Sequence, residues 1–123
     1  ETRVSGIAPI LWDEDRKVDI ARIANATAKL LECDLELSPS DILSSDEYIG
    51  ERYGVLTQEG RDALKLVAET EGIFLDPVYT SKAMAGMIDQ IRKGIITKNE
   101  TVVFIHTGGL PALFAYAEDL MLS

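Results

Sequence analysis

Two polar segments carry most of the side chains that could do chemistry. Residues 76–80 follow the short apolar run 73–75, and residues 106–111 follow the apolar run 102–105. Each segment supplies hydroxyl groups and backbone N–H groups ahead of a predicted helix, whose N-terminus carries partial positive charge. Because ligands in parallel α/β sheets bind beyond the carboxyl ends of the strands, this spacing predicts a ligand-binding edge.

Each of these residues also has a plain structural interpretation. The pair Gly108-Gly109 could be only a tight turn between a strand and a helix. His106 is the one histidine, and a lone histidine at a strand end is more often a packing residue than a catalyst, so its role stays open. Tyr53 could anchor its loop by packing, and Cys33 is predicted to be a buried or half-buried, unreactive thiol. The sequence contains none of the common phosphate-loop, dinucleotide, serine-hydrolase or zinc-peptidase motifs, and no metal site is expected.

Composition restricts the class of protein. The 123 residues include 12 Lys+Arg and 21 Asp+Glu, a formal net charge of −9, which argues against nucleic acid and anionic membranes as partners. No apolar run is long enough for a membrane helix, and no secretory signal is visible. One cysteine cannot form an internal disulfide, so we expect a reducing, cytoplasmic location.

The elements that must position the two polar segments alternate along the chain. Apolar spacing, caps and breakers predict four helices and several short strands. This alternation favours an α/β fold with a parallel sheet, formed as a single unit over residues 1–123. The predicted strands are residues 3–8, 42–43, 73–75 and 102–105, and the predicted helices are residues 13–32, 57–71, 81–93 and a last one from Pro111.

The sequences EGIFLDPVYTSK at 71–82 and FIHTGGLPALF at 104–114 resemble signatures of one enzyme family. It is the D-cysteine desulfhydrase and 1-aminocyclopropane-1-carboxylate (ACC) deaminase family, whose members use pyridoxal phosphate. The likeness extends over essentially the whole chain and matches the C-terminal part of the family's sequence. It implies a tryptophan-synthase β-like (fold type II) architecture, a three-layer αβα with a mostly parallel sheet, and a homodimer acting on a small amino acid.

The resemblance also implies roles for single residues. Tyr79 and Tyr53 match active-site tyrosines beside the substrate, and Thr107 falls where a side chain can face the pyridine nitrogen of the cofactor. Gly108 would bring backbone close to the ring, where a Cβ would intrude. ACC deaminases typically carry Glu and Leu at the positions of Thr80 and Thr107. Having Thr at both positions is similar to the D-cysteine desulfhydrases and predicts Thr80 as a further cofactor-binding residue.

The activity implied is a lyase reaction that converts D-cysteine to pyruvate, hydrogen sulfide and ammonia. ACC deaminase and a sulfo-lyase acting on cysteate are alternatives within the family. A non-catalytic α/β binding module is the alternative from another class.

Some family features have no match in these 123 residues. The Schiff-base lysine and the glycine-rich phosphate loop lie in the family's N-terminal part, and Lys82 does not match that lysine; we expect a structural role for it. The chain starts at Glu1, and residues 2–10 already resemble the inside of a domain. We therefore expect a piece of a longer enzyme that is inactive alone and that exposes apolar surface, pairs with another chain or is marginally stable.

Overall fold

Helices provide most of the regular structure in residues 2–11 and 16–121, the ranges that the computed structural model describes. The predicted acidic start of the first helix, at Asp13, Glu14 and Asp15, lies outside these ranges. No helix within them is long and apolar enough to cross a membrane. The elements are β1 (Ser5–Ile7), α1 (Arg16–Leu30), a 3-10 turn (Pro39–Asp41), β2 (Leu43–Ser45), α2 (Gln58–Glu71), α3 (Thr80–Arg92), α4 (Ala112–Ala115) and α5 (Ala117–Met121).

The two strands form a parallel pair, as the α/β prediction requires. Ser5 lies opposite Leu43, and Ile7 lies opposite Ser45. The ladder continues one residue further, where the N–H of Ala8 donates to the carbonyl of Ser45 at 2.8 Å. Because parallel strands need a crossover connection, α1 lies between them in the chain.

Helix α2 begins and ends where its sequence signals predict. The Thr57 hydroxyl accepts a hydrogen bond from the N–H of Gly60 at 3.0 Å, so it caps the helix. Gly72 takes a left-handed conformation with φ of +67° and ends the helix. Local capping chemistry thus fixes the bounds of this helix before any tertiary contact is considered.

The core joins α2 to α3 and fixes the segments on either side of them. Its buried members come from α2, from the segment before α3 and from α3 itself, so the residues leading into α3 cannot move independently of α2. Partly buried side chains from the C-terminal segment pack on the same cluster. The buried members are Ala63, Leu64, Val67, Leu75, Met84 and Ala85, and the partly buried ones are Met87, Ile88, Phe104, Leu113 and Leu120.

Two predicted strands differ from the structure. Within the described residues, 73–75 and 102–105 form no strand ladder. Leu75 is buried and Phe104 packs on the core, but Val103 is 81% and Ile105 72% exposed. The prediction that both runs are strands is therefore wrong for the described part of the chain. An apolar run signals a need for cover, whereas ladder formation needs a neighbouring strand, which the run itself cannot specify. The exposed side chains agree with the expected exposure of apolar surface.

The first helix and the last one also depart from expectation. In α1, Ala21 and Ala28 are buried as the apolar spacing predicts, but Val18 is exposed. Cys33 is exposed, so the prediction of a buried thiol is wrong; it lies beyond the end of α1 and not on its packed face. The predicted last helix is broken into the short helices α4 and α5, with Tyr116 between them.

Candidate active site

The two predicted catalytic tyrosines meet in the structure. The hydroxyl groups of Tyr53 and Tyr79, which are 26 residues apart in sequence, are joined by a hydrogen bond. Their ring centroids lie 6.1 Å apart at an interplanar angle of 58°. Tyr53 is 48% and Tyr79 43% exposed, so the paired hydroxyls belong to an open surface and not to the core.

Asp76 sets the position of Tyr79 by capping the turn that leads into α3. Its fully buried carboxylate accepts hydrogen bonds from the N–H groups of Val78 and Tyr79 at 2.8 Å and of Thr80 at 2.7 Å. Pro77 lies inside this turn, and its fixed φ restricts the backbone that the cap must hold. The backbone that carries the Tyr79 ring is therefore tied at three consecutive amides.

The same hydrogen bonds decide the charge of Asp76. Burial alone would raise the pKa of its carboxyl, but the hydrogen bonds from Thr80, Tyr79 and Val78 outweigh burial and hold the pKa below its ordinary value. Asp76 is thus a carboxylate at neutral pH, and its negative charge lies at the positive end of α3.

Thr80 lies inside this cap. It is almost fully buried, its hydroxyl donates to the Asp76 carboxylate at 2.7 Å, and it accepts from the Asp76 N–H at 2.7 Å. The structure therefore does not bring the Thr80 side chain to the tyrosine pair. The contact of Thr80 with a cofactor stays a prediction. In the structure, the Thr80 side chain holds the Asp76 carboxylate in place.

His106 connects the second polar segment to the first. Its Nδ1 accepts a hydrogen bond from the N–H of Gly108 at 3.2 Å, so Nε2 carries the proton and donates to the carbonyl of Phe74 at 2.9 Å. Of the two interpretations that the sequence left open, the structure favours a histidine that packs and hydrogen bonds. The bond fixes residues 106–108 beside residues 74–76.

The two glycines that follow differ in their surroundings. Both have positive φ, +101° at Gly108 and +91° at Gly109. A Cβ on Gly109 would lie 2.6 Å from Cγ of Asp76, whereas a Cβ on Gly108 would meet nothing within 4 Å. Because Gly109 has no Cβ, its backbone can pack directly against the Asp76 side chain, and the two polar segments are in contact there. Gly108, with exposed Thr107 before it, borders open space beside the touching segments.

These two glycines give a paired prediction. Gly109→Ala adds an unfavourable φ and a clash with a buried carboxylate, so we expect it to lower the free energy of unfolding by about 2–5 kcal/mol. Gly108→Ala adds only the backbone strain, about 1–2 kcal/mol. Urea unfolding of both variants measures the difference; equal losses would contradict the close contact between Gly109 and Asp76.

The electrostatics of the tyrosine pair keep a proton on Tyr79 at neutral pH. The hydrogen bond with Tyr53 is the main cause that raises the pKa of Tyr79, and burial and the nearby Asp76 and Tyr116 act in the same direction. A neutral phenol can donate a proton and then recover one through its hydrogen-bond partner. The pair is thus suited to proton transfer and to orienting a polar ligand.

Two residues that support Tyr53 gave no functional signal in the sequence. The Tyr116 hydroxyl donates to the carbonyl of Gly54, and the Lys82 ammonium donates to the carbonyl of Ile49 at 2.6 Å. Both contacts join residues more than 30 positions apart, so neither could be found from local spacing.

A groove elsewhere on the molecule does not include the predicted residues. Its walls come from α2, α3 and the segment before α2, and include Tyr48, Asp62, Asp89 and Lys93. The four open-surface candidates are absent from its lining: Tyr53, Tyr79, Thr107 and Gly108. We place the candidate site at the tyrosine pair because the side chains with matched chemistry lie there. In the described parts of the chain, no three His, Cys, Asp or Glu side chains cluster so as to hold a metal ion.

Comparisons with known protein families and with solved structures agree with each other. A family profile described as pyridoxal-phosphate dependent enzyme matches residues 3–108. A solved structure described as an ACC deaminase homologue is 35% identical to this chain, with a TM-score of 0.80. The match covers 97% of this chain and 35% of that one, so this chain spans about a third of the length of that protein.

Proposed function

This chain belongs to the pyridoxal-phosphate-dependent enzyme family, with the fold type II architecture of ACC deaminase and its relatives, and on that premise we propose that it forms the substrate-facing part of a D-cysteine desulfhydrase-like lyase. The proposed reaction is D-cysteine plus water to pyruvate, hydrogen sulfide and ammonia. The observation that carries the proposal is the hydrogen-bonded pair Tyr53 and Tyr79, on a surface next to the contact of Gly109 with Asp76.

The residues at this surface fit the family's cofactor, pyridoxal phosphate. The space where a Cβ on Gly108 would lie contains no other atoms within 4 Å. The Gly108 backbone can therefore approach a flat ring that a Cβ would push away. The exposed Thr107 beside it offers a hydroxyl that can pair with a ring nitrogen. We propose that these two residues hold the pyridine side of the cofactor. When bound, the cofactor supplies an electron sink for the carbon that carries the substrate amino group.

Thr107 bears on which reaction follows. A neutral hydroxyl leaves a pyridine nitrogen less basic than a carboxylate would, which weakens the electron sink. A weaker sink suits β-elimination, because the sulfur leaves promptly and negative charge need not accumulate on carbon. Ring opening of a cyclopropane has no leaving group of that quality. This reasoning supports D-cysteine over ACC as the substrate.

The tyrosine pair has the chemistry for the departing sulfur. Tyr79 keeps its proton at neutral pH and can donate it from the phenol oxygen to a thiolate. Tyr53 holds the Tyr79 hydroxyl in one orientation and can pass it a proton afterwards. The substrate-facing roles of both tyrosines form part of the proposal.

A second candidate is ACC deamination, to 2-oxobutanoate and ammonia. The observation in its favour is the structural match to an ACC deaminase homologue at 35% identity. The burial of Thr80 also weakens one argument against it, because that hydroxyl contacts Asp76 instead of the open surface. Cysteate sulfo-lyase activity, with release of sulfite, is the remaining alternative.

The experiment compares substrates by their products. The full-length natural protein, loaded with pyridoxal phosphate, is supplied separately with D-cysteine, L-cysteine, ACC and cysteate. We expect sulfide and pyruvate from D-cysteine at a rate at least about tenfold above that with ACC, a difference of about 1.4 kcal/mol in the barrier. Release of 2-oxobutanoate from ACC without sulfide would replace the proposal by the deaminase. No product from any substrate would favour a non-catalytic binding module.

The location and assembly of the protein are further parts of the proposal. We propose that residues 1–123 form the C-terminal portion of the large domain of a longer enzyme. The 35% coverage of the matched protein supports only that this chain corresponds to a part of such a protein. We also propose a cytoplasmic homodimer. Exposed apolar side chains such as Val103, Ile105 and Phe114 support association with further protein surface. Sedimentation velocity of the full-length protein measures the oligomeric state.

A further inference from the structure

The loop of residues 49–54 carries Tyr53 but contains no helix or strand of its own. The hydrogen bond between Tyr53 and Tyr79 therefore depends on contacts at the two ends of this loop. The carbonyl of Ile49 at one end and the carbonyl of Gly54 at the other each accept a hydrogen bond from a distant side chain.

The first of these side chains is Lys82, in the first turn of α3. Lys82 is 0% exposed, and its Nζ donates to the carbonyl of Ile49, a residue that is itself buried. Burial lowers the pKa of the Lys82 ammonium. A buried ammonium group bonded to a backbone carbonyl is costly for the fold compared with an apolar side chain of the same length. Such a residue is therefore a poor choice for packing alone.

The position of Lys82 links the loop to Tyr79 directly. Tyr79 immediately precedes α3, and Lys82 lies three residues further along the same helix start. A hydrogen bond from Lys82 to Ile49 therefore sets the distance between the Tyr53 loop and the backbone that carries Tyr79. Asp76 already fixes that backbone, so Lys82 connects the loop to a rigid point.

The second side chain is Tyr116, between α4 and α5. Its hydroxyl donates to the carbonyl of Gly54, next to Tyr53 in the chain. Gly54 has φ of +79°, and a Cβ placed on it would lie 3.5 Å from the Tyr116 hydroxyl oxygen. The loop thus ends in a backbone conformation that favours glycine, held by a tyrosine from the C-terminal segment.

We propose that Lys82 and Tyr116 are positioning residues that clamp the two ends of loop 49–54 and so place the Tyr53 hydroxyl on Tyr79. The proposal rests on the proposed function only in taking the tyrosine pair as part of the active site. Neither residue needs to touch substrate or cofactor for this role.

The test measures the tyrosine pair itself in the full-length protein. Tyrosine labelled with carbon-13 at Cζ reports phenol ionisation by NMR, and Tyr53→Phe and Tyr79→Phe assign the two signals. Lys82→Met keeps the length of the buried side chain and removes its donor, while Tyr116→Phe removes one hydroxyl group. Lys65→Met, at an exposed position on α2, is the matched control.

We expect the pKa of Tyr79 to fall toward the ordinary value of 10.0 in Lys82→Met and in Tyr116→Phe, and to stay unchanged in Lys65→Met. In the active enzyme, kcat should fall by up to about 100-fold, with KM changed by less than about twofold. An unchanged Tyr79 titration in both variants, even with a lower melting temperature, would overturn the proposal and leave only a structural role. If Lys82→Met does not fold, a crystal structure of Tyr116→Phe decides, because the Tyr116 hydroxyl also raises the pKa of Tyr79 directly. Separated Tyr53 and Tyr79 hydroxyls would support the clamp, and hydroxyls still within hydrogen-bond distance would overturn it.

The outcomes also separate this proposal from the proposed function. A wild-type protein that releases no sulfide from D-cysteine, but whose Tyr79 titration shifts in both variants, would contradict the function and support the clamp. Release of sulfide from D-cysteine together with an unshifted Tyr79 titration in both variants would support the function and contradict the clamp.

Discussion

Replacing Tyr79 by phenylalanine should remove most of the activity of the full-length enzyme and leave its fold intact. The phenol is the proposed proton donor to the leaving sulfur, and positioned acid–base groups typically contribute about 10²–10⁴-fold to rate. The Tyr79 ring is 43% exposed, and its hydroxyl bonds to another surface hydroxyl. Loss of that bond should therefore change the free energy of unfolding by less than about 1 kcal/mol.

Steady-state sulfide release by wild type, Tyr79→Phe and Tyr48→Phe measures this effect. Tyr48 is the matched control, because its hydroxyl donates to Asp89 at 2.6 Å and it lines the groove, whose lining does not include Tyr53 or Tyr79. The expected order is a large loss for Tyr79→Phe and little change for Tyr48→Phe. A rate of sulfide release by Tyr79→Phe within about twofold of the wild-type rate would show that Tyr79 is not the proton donor.

Asp76→Ala should cause a large loss of stability. The change removes the acceptor for three backbone N–H groups and one hydroxyl, all at the start of α3. Buried donors left without partners cost about 1–3 kcal/mol each, partly relieved by relaxation and water, so we expect a net loss of about 3–5 kcal/mol. The Tyr79 backbone loses its support at the same time.

Urea unfolding measures this loss, with Asp62→Ala as the control. Asp62 is an exposed residue of α2 whose carboxylate accepts a hydrogen bond from Gln58, so its loss should cost less than about 0.5 kcal/mol. A loss of under about 1 kcal/mol for Asp76→Ala would show that the cap does not organise α3.

The same carboxylate gives the stability a defined dependence on pH. The hydrogen bonds of Asp76 hold its folded-state pKa below the unfolded value of about 3.9. Its stabilising contribution is therefore complete above about pH 5, and it is lost as the pH falls below about 4 and through the folded-state pKa. Asp76→Asn should lack this part of the acid dependence, which urea unfolding between about pH 3 and 7 can follow.

Local chemistry made some elements predictable and left others open. The bounds of α2 followed from Thr57 and Gly72 because caps act through residues three or four positions away. The sequence predicts Asp76 only as part of the polar segment 76–80 ahead of a helix, although its carboxylate binds the N–H groups of the turn into that helix. An aspartate before a proline allows both outcomes, and only the path of residues 77–80 decides between them.

The site required information that spacing does not hold. Tyr53 and Tyr79 were paired through resemblance to a family, not through their separation in the chain. The supports of Tyr53, from Lys82 and Tyr116, join remote elements and had no pattern of their own. The apolar run 102–105 was predicted as a strand, but it forms no ladder within the described residues, because the run does not specify which neighbouring segments would pair with it or cover it. Burial and ladder partners are properties of the whole assembly.

The most direct test is a crystal structure of the full-length protein with pyridoxal phosphate bound. The proposed site predicts the cofactor ring against the open side of Gly108, with the Thr107 hydroxyl within about 3.2 Å of the pyridine nitrogen. It also predicts that the Tyr53 and Tyr79 hydroxyls face the substrate side of the ring. A ring bound away from Thr107 and Gly108, or a tyrosine pair that points away from it, would contradict the assignment of this surface as the active site.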